Sequence, residues 1–207
     1  MLLKSAKISS KFKSNLNSIS KYVRNDIKVV DFILNHFDLN SKSNQIISTS
    51  TIFNIDNLIK DGIQNIINLK EVNDFRYINK IFEATNQKLP ISGMYLGCVE
   101  THPDRKKIIL SKYPFIFNWF AYYFDYIFKR IFPKLKLTKR LYFYLTKGKG
   151  RVLSKAETFG RLYSCGFEIS DQIASNNLLY FLATKVKEPS YDNEPTYGPI
   201  IRLERIG

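Results

Sequence analysis

Lys147-Gly-Lys-Gly-Arg151 sets two glycines among three cations, a composition that can fold a loop's backbone amides around a phosphate group. Lys147, Lys149 and Arg151 are therefore candidate phosphate ligands. The run lacks the full P-loop spacing and the Ser or Thr that follows its Lys, so a solvated basic turn stands as the plainer alternative. Glu100-Thr-His102 follows an apolar run and could place a carboxylate and an imidazole at the rim of a sheet, where proton transfer is the chemistry they offer. No nucleophile or third partner accompanies them, and His102 before Pro103 also reads as an ordinary loop residue. Asn73-Asp-Phe-Arg76 could bring Asp74 and Arg76 to the same rim, unless Asp74 caps the following helix and Arg76 is its solvated first turn. Cys98 and Cys165 are the only cysteines, too few for a disulfide framework or a cysteine metal cluster, and both read as buried thiols. No catalytic residue and no metal ligand is assigned.

Such positions need a scaffold, and the apolar spacing supplies one. Residues 1 to about 20 are rich in Lys, Ser and Asn and read as an arm or a surface helix. From Ser20 to Phe37 apolar residues recur every three or four positions, which predicts one amphipathic helix. An alternation then begins: a strand at 45–50, a helical turn at 54–60 closed by Gly62, a strand at 63–69, a helix at 74–88 and a buried strand at 94–100. Ser154 with Glu157 three residues on predicts the start of a further helix, and Gly166 releases the chain into a terminal antiparallel pair at 167–169 and 178–186. The predicted fold class is α/β, a partial Rossmann-like sheet with flanking helices and an aromatic, basic helical insertion at about 103–150. The expected organisation is an arm and helix over 1–44, the α/β domain over 45–188, and a linker over 189–207.

The formal net charge is +14, and it is concentrated: residues 105–161 hold fifteen Lys and Arg against Asp125 and Glu157. Within that stretch Tyr113–Phe132 carries aromatic residues all round a helix. Its uncharged part is about 12 residues, short of the roughly 20 that span a bilayer, and Pro114 and Pro133 bracket it. Aromatic rings beside cations suit a membrane interface, where rings settle at headgroup depth and cations meet lipid phosphate. Trp119, Phe120, Tyr123, Lys129, Arg130, Lys134 and Lys136 are the membrane-interface candidates. A cap helix buried on the sheet, its basic end solvated, is the alternative. Nucleic acid is not expected as a partner, because rings and cations share one apolar block rather than interleaving on a polar face. The opening Met1-Leu-Leu-Lys leads into no apolar secretory segment, so the cytoplasmic side is the expected location.

Two resemblances bear on function. The order of elements resembles the second half of a class I methyltransferase-like Rossmann sheet, which implies a degenerate methyltransferase-like protein. Such folds hold their cofactor over a glycine-rich turn after the first strand, and no glycine precedes Gly62 here. The second resemblance rests on Tyr197-Gly-Pro-Ile-Ile-Arg-Leu-Glu-Arg-Ile-Gly207, in which Gly198, Pro199, Arg205 and Gly207 are similar to the opening motif of bacterial sugar transferases, the monotopic phosphoglycosyl transferases. Residues 73–83, 97–101, 128–134 and 154–168 resemble the leader that precedes that catalytic domain in some of them. This resemblance implies a non-catalytic leader, peripheral on the inner bacterial membrane, serving sugar phosphate transfer to polyprenyl phosphate in polysaccharide assembly. It places the catalytic Asp-Glu pair and its magnesium beyond Gly207, so no cofactor is expected in this chain. The implied partners are an anionic membrane surface and the missing catalytic domain.

Overall fold

The computed structural model describes residues 10–189, Arg24 and Lys60 apart. In chain order the elements are α1 (Ser10–Tyr22), α2 (Ile27–His36), β1 (Asn44–Ile47), α3 (Ile52–Asp56), β2 (Asn65–Glu71), α4 (Ile78–Lys88), β3 (Met94–Val99), α5 (His102–Lys112), α6 (Phe115–Tyr126), α7 (Lys136–Thr146), α8 (Lys155–Ser164), β4 (Phe167–Ser175) and β5 (Leu178–Lys185). A 3-10 turn, Val72–Asp74, follows β2, and a π-turn, Ile127–Ile131, continues α6. The strands form one sheet in the order β1-β2-β3-β5-β4. β1, β2 and β3 run parallel, and β5 is antiparallel to both β3 and β4. The chain is thus a mixed α/β protein with a five-stranded sheet flanked by helices.

Both faces of the sheet are covered, and for this reason β2 and β3 read as nearly continuous apolar runs rather than alternating ones. Ile66, Tyr95, Val99 and Phe181 pack toward α4 and α8. Ile67, Leu69, Leu96, Tyr180 and Leu182 pack on the other face against Ile19, Val29 and Ile33 of α1 and α2. Tyr95 is fully buried between Phe82, Phe167 and Phe181, with ring centroids 5.9–6.0 Å apart. Gly166 at the end of α8 has φ +86°, and a Cβ there would stand 2.3 Å from the Lys187 carbonyl. No other residue type fits that turn, which aims β4 back along the sheet.

Two local expectations change. The helix expected over Ser20–Phe37 is two helices, because Asn25 adopts a left-handed φ of 58° and Asp26 restarts the helix by accepting from the Lys28 amide. Asp74 is not the cap of α4. It sits in the 3-10 turn, paired with Lys70 at 2.5 Å and accepting the Gly150 amide at 2.9 Å, which ties the turn after β2 to the loop before α8. The Ser154 cap is as expected, since its Oγ accepts from the Glu157 amide. The Glu157 carboxylate, however, pairs with Arg161 instead of closing a capping box.

Candidate functional site

The C-terminal edge of the parallel strands is tied down by side chains that meet backbone. The amide of Asn73 donates to the carbonyls of Glu100 and Arg151, and its oxygen accepts from the Glu100 amide at 2.7 Å. Asn73 is 2% exposed, so this one side chain fastens the ends of β2 and β3 to the loop before α8. His102 joins the same edge, its amide donating to the Leu153 carbonyl at 2.8 Å. Its Nε2 lies 2.7 Å from the Tyr122 hydroxyl, which links the sheet edge to α6. Desolvation, then the charges of Arg130 and Lys106, lower the His102 pKa below its ordinary value, so the imidazole is neutral at pH 7.

Glu100 carries no free acid. Arg105 reaches it at 2.7 Å and makes a two-point contact with Asp125 of α6 at 2.5 and 2.8 Å, while Lys129 takes the same Asp125 at 3.1 Å. Each side chain of the Glu100–Arg105–Asp125 triad is only 17–18% exposed. The sequence reading missed this bridge, although the single acid between Tyr113 and Lys147 is Asp125 and that isolation was the available signal.

Lys147, Lys149 and Arg151 do not cradle an anion with their loop. Gly148 and Lys149 donate their amides to Thr146, Gly150 to Asp74, and Arg151 to Asn73. Arg151 turns inward, with its guanidinium on the Phe75 carbonyl and over the Phe143 ring at 5.6 Å. Lys147 closes α7 in the left-handed conformation with its side chain exposed.

The aromatic segment is where the structure departs most from a packed domain. Among the described residues, fourteen of the 23 exposed large apolar side chains fall between Tyr113 and Leu145. On α6, Phe115 is 82% exposed, Phe120 81%, Phe124 72% and Tyr123 55%. On α7, Leu137 reaches 94% and Tyr144 81%. Only Asn118, Tyr122 and Tyr142 are buried among the described side chains of the segment. A cap helix buried on most sides is therefore not what forms. Trp119, 40% exposed, stacks near Tyr122 and Tyr123, and Lys106 lies over its ring at 5.0 Å.

The cations of the segment divide into two kinds. Lys134, Lys136, Lys139 and Arg140 are exposed. Lys129 and Arg130 are not, since Lys129 pairs with Asp125, and Arg130 donates to the Val152 carbonyl and lies 3.5 Å from Glu157. Arg130 ties the arm to the loop and helix after it, while Lys129 is held by Asp125 within the arm itself. Between the arm and that edge lies an open cleft of about 570 Å3, lined among others by His102, Tyr126, Arg130, Ser154 and Lys155. Among the described residues no group of His, Cys, Asp and Glu is arranged to hold a metal, and no helix is long and apolar enough to cross a membrane.

No family model matches the chain, and no curated protein matches it. Among solved structures the chain is similar to one titled PigF with SAH, at 12% identity over 86% of this chain and 68% of that one, with a TM-score of 0.37. These findings overturn the sugar-transferase resemblance. Nothing of that family matches, and Gly198, Pro199, Arg205 and Gly207, which carried it, lie outside the described residues. The role in polysaccharide assembly falls with it.

Proposed function

We propose that the chain is a peripheral membrane-docking module that seats α6 and α7 in the interface of an anionic bilayer. The observation that carries this reading is the exposure of rings and cations together on an arm that the sheet does not cover. Soluble monomers rarely leave so large an apolar patch in water. A second copy of the chain is a poor occupant. Between Tyr113 and Lys147 seven Lys and Arg face one acid, and that acid is already paired, so apposed arms would repel. An anionic surface satisfies both halves of the composition, apolar burial for the rings and lipid phosphate for the cations. At 1.5 Å per residue α6 is about 18 Å long, so the arm lies in the interface and does not cross it.

Replacing Lys134, Lys136, Lys139 and Arg140 with Gln tests the electrostatic half. Each cation near the surface contributes about 1 kcal/mol, so cosedimentation with anionic vesicles should fall by orders of magnitude at low salt, and residual binding should lose most of its salt dependence. The fold should be unchanged, because these four side chains face water. Lys129 and Arg130 belong outside this test, being part of the structure. Folded wild type that fails to sediment with anionic vesicles, or sediments equally with neutral ones, would remove the proposal.

S-adenosylmethionine is not the expected ligand, for a reason local to β1. The turn after it, Ser48–Thr51, has no glycine, and Thr49 and Asn68 are locked to one another by two hydrogen bonds of 3.1 and 2.9 Å. β1 is also the outermost strand, with no neighbour beyond it among the described residues to carry a ribose-binding group. Calorimetric titration should give no saturable heat. Micromolar binding would overturn this expectation and restore a methyltransferase reading.

A further inference from the structure

Glu157, in the first turn of α8, gathers more positive charge than it can satisfy. Arg161 reaches its Oε1 at 3.1 Å, while Arg130 and Lys134 stand 3.5 and 3.6 Å from its Oε2, beyond hydrogen-bonding distance. Arg151 lies in the same field, close enough to Arg161 for the two to repel. Three cations thus share one carboxylate, an excess of two positive charges to which Arg151 adds from beside Arg161, in a region where the Arg130, Arg161 and Glu157 side chains are only 14–20% exposed. Donors are left over as well. The Nε atoms of Arg151 and Arg161 are enclosed and have no hydrogen-bond partner, and Glu157 Oε2 accepts none. Buried guanidinium donors without acceptors are costly, and like charges held together out of water add to that cost. Burial first, and then the charge of Arg161, lower the Arg151 pKa to about 10.

The cluster also has an approach. Arg130 lines the cleft between arm and sheet edge, as do Ser154, Lys155 and Ala156 at the start of α8. The Ser154 hydroxyl is engaged by the Glu157 amide, while the amides of Lys155 and Ala156 precede any intrahelical acceptor. Lys134, 56% exposed, stands on the solvent side of the cluster. A compact anion with several oxygens would meet charge and donors together, and a phosphate group has that shape and valence.

We infer that Arg130, Lys134, Arg151 and Arg161 around Glu157 form a binding site for a phosphate group, entered from the cleft beneath the arm. The inference shares Lys134 with the membrane reading but none of the rings that would enter a bilayer, so variants in the rings separate the two. Inorganic phosphate is the probe, with chloride at equal ionic strength as the reference and thermal unfolding as the readout. Wild type should unfold at a higher temperature in phosphate than in matched chloride. Lys134→Gln should weaken the half-saturating phosphate concentration about fivefold, and Arg130→Gln with Lys134→Gln should abolish the response. Lys134 is exposed enough that its single variant folds even where the double variant does not. Lys107→Gln, an exposed cation on α5, should respond as wild type does.

A second arm separates the sources of the phosphate. If vesicles of phosphatidic acid displace dissolved phosphate, the site takes a lipid headgroup, and if both bind together it takes a soluble phosphate compound. A variant with Phe115→Ser and Phe120→Ser should keep the phosphate response whether or not it binds vesicles, so loss of one reading is visible apart from loss of the other. Equal unfolding of wild type in phosphate and chloride, or equal weakening by Lys107→Gln and Lys134→Gln, would overturn the site.

Discussion

Phe115→Ser together with Phe120→Ser is expected to weaken binding to anionic vesicles about a hundredfold while leaving thermal unfolding nearly unchanged. Both rings are about four-fifths exposed, so neither contributes to the core in water. Surface substitutions of this kind usually move stability by no more than about 0.5 kcal/mol. On entering the interface the same rings lose most of their contact with water. Full burial of a Phe side chain contributes about 1.5–3 kcal/mol, and taking the lower figure for a partly immersed ring gives about 3 kcal/mol for the pair, or about two powers of ten in the partition constant. A packed cap helix would give the opposite pattern, with the domain destabilised and vesicle binding absent from the start. Cosedimentation and a melting curve on the same preparation distinguish the two, and a destabilised variant would sink the interfacial reading.

The division between what could be read in the chain and what could not follows from the range of the interactions. β2, β3 and β5 were visible because a strand buried on both faces is apolar almost throughout, and because Gly62 and Gly166 punctuate the runs, whereas β4 was expected over only 167–169 because its remaining residues to Ser175 are mostly exposed. Cap and turn chemistry is equally local, which is why Ser154 was found. Asp74 was misassigned for the complementary reason. An acid before a helix is usually its cap, but here Lys70 and the Gly150 amide, the latter 76 residues away, hold it elsewhere. The backbone of the loop 148–151 was equally out of reach, since its amides are consumed by Thr146, Asn73 and Asp74, and the last two come from a distant part of the chain. Rings and cations in the arm were legible as a composition. Which rings face water, and which cations are engaged, depended on where α6 docks, and that is decided by Arg105 and Asp125 across twenty residues.

Arg105→Gln is expected to be the most damaging polar substitution in the chain. Arg105 is the only cation that bridges Glu100 at the sheet edge and Asp125 on α6, and Glu100 has no other salt-bridge partner among the described residues. Removing one partner of a buried ion pair typically costs about 3–5 kcal/mol, and the partial exposure of this triad reduces that to roughly 2–3 kcal/mol. For a domain of this size the loss corresponds to about 5–10 °C in Tm. Lys129→Gln should cost much less, since it leaves Arg105 on Asp125. The pH dependence carries a sign. Burial alone would raise the Asp125 pKa, but the hydrogen bond and charge of Arg105, followed by those of Lys129, outweigh it and hold the carboxyl below its ordinary range. A depressed folded-state pKa means that the stabilisation is fully present above the unfolded carboxylate pKa and is lost as pH falls through the folded value. Wild type and Arg105→Gln should therefore differ fully at pH 7, still differ near pH 4, and converge only below that. Arg105→Met with Glu100→Gln and Asp125→Leu should recover part of the loss, because neither carboxylate that Arg105 pairs is then left stranded. If Arg105→Gln instead melts within a degree of wild type, the bridge does not hold the arm, and the docking of α6 must rest on His102, Tyr122 and the packing of α5 alone.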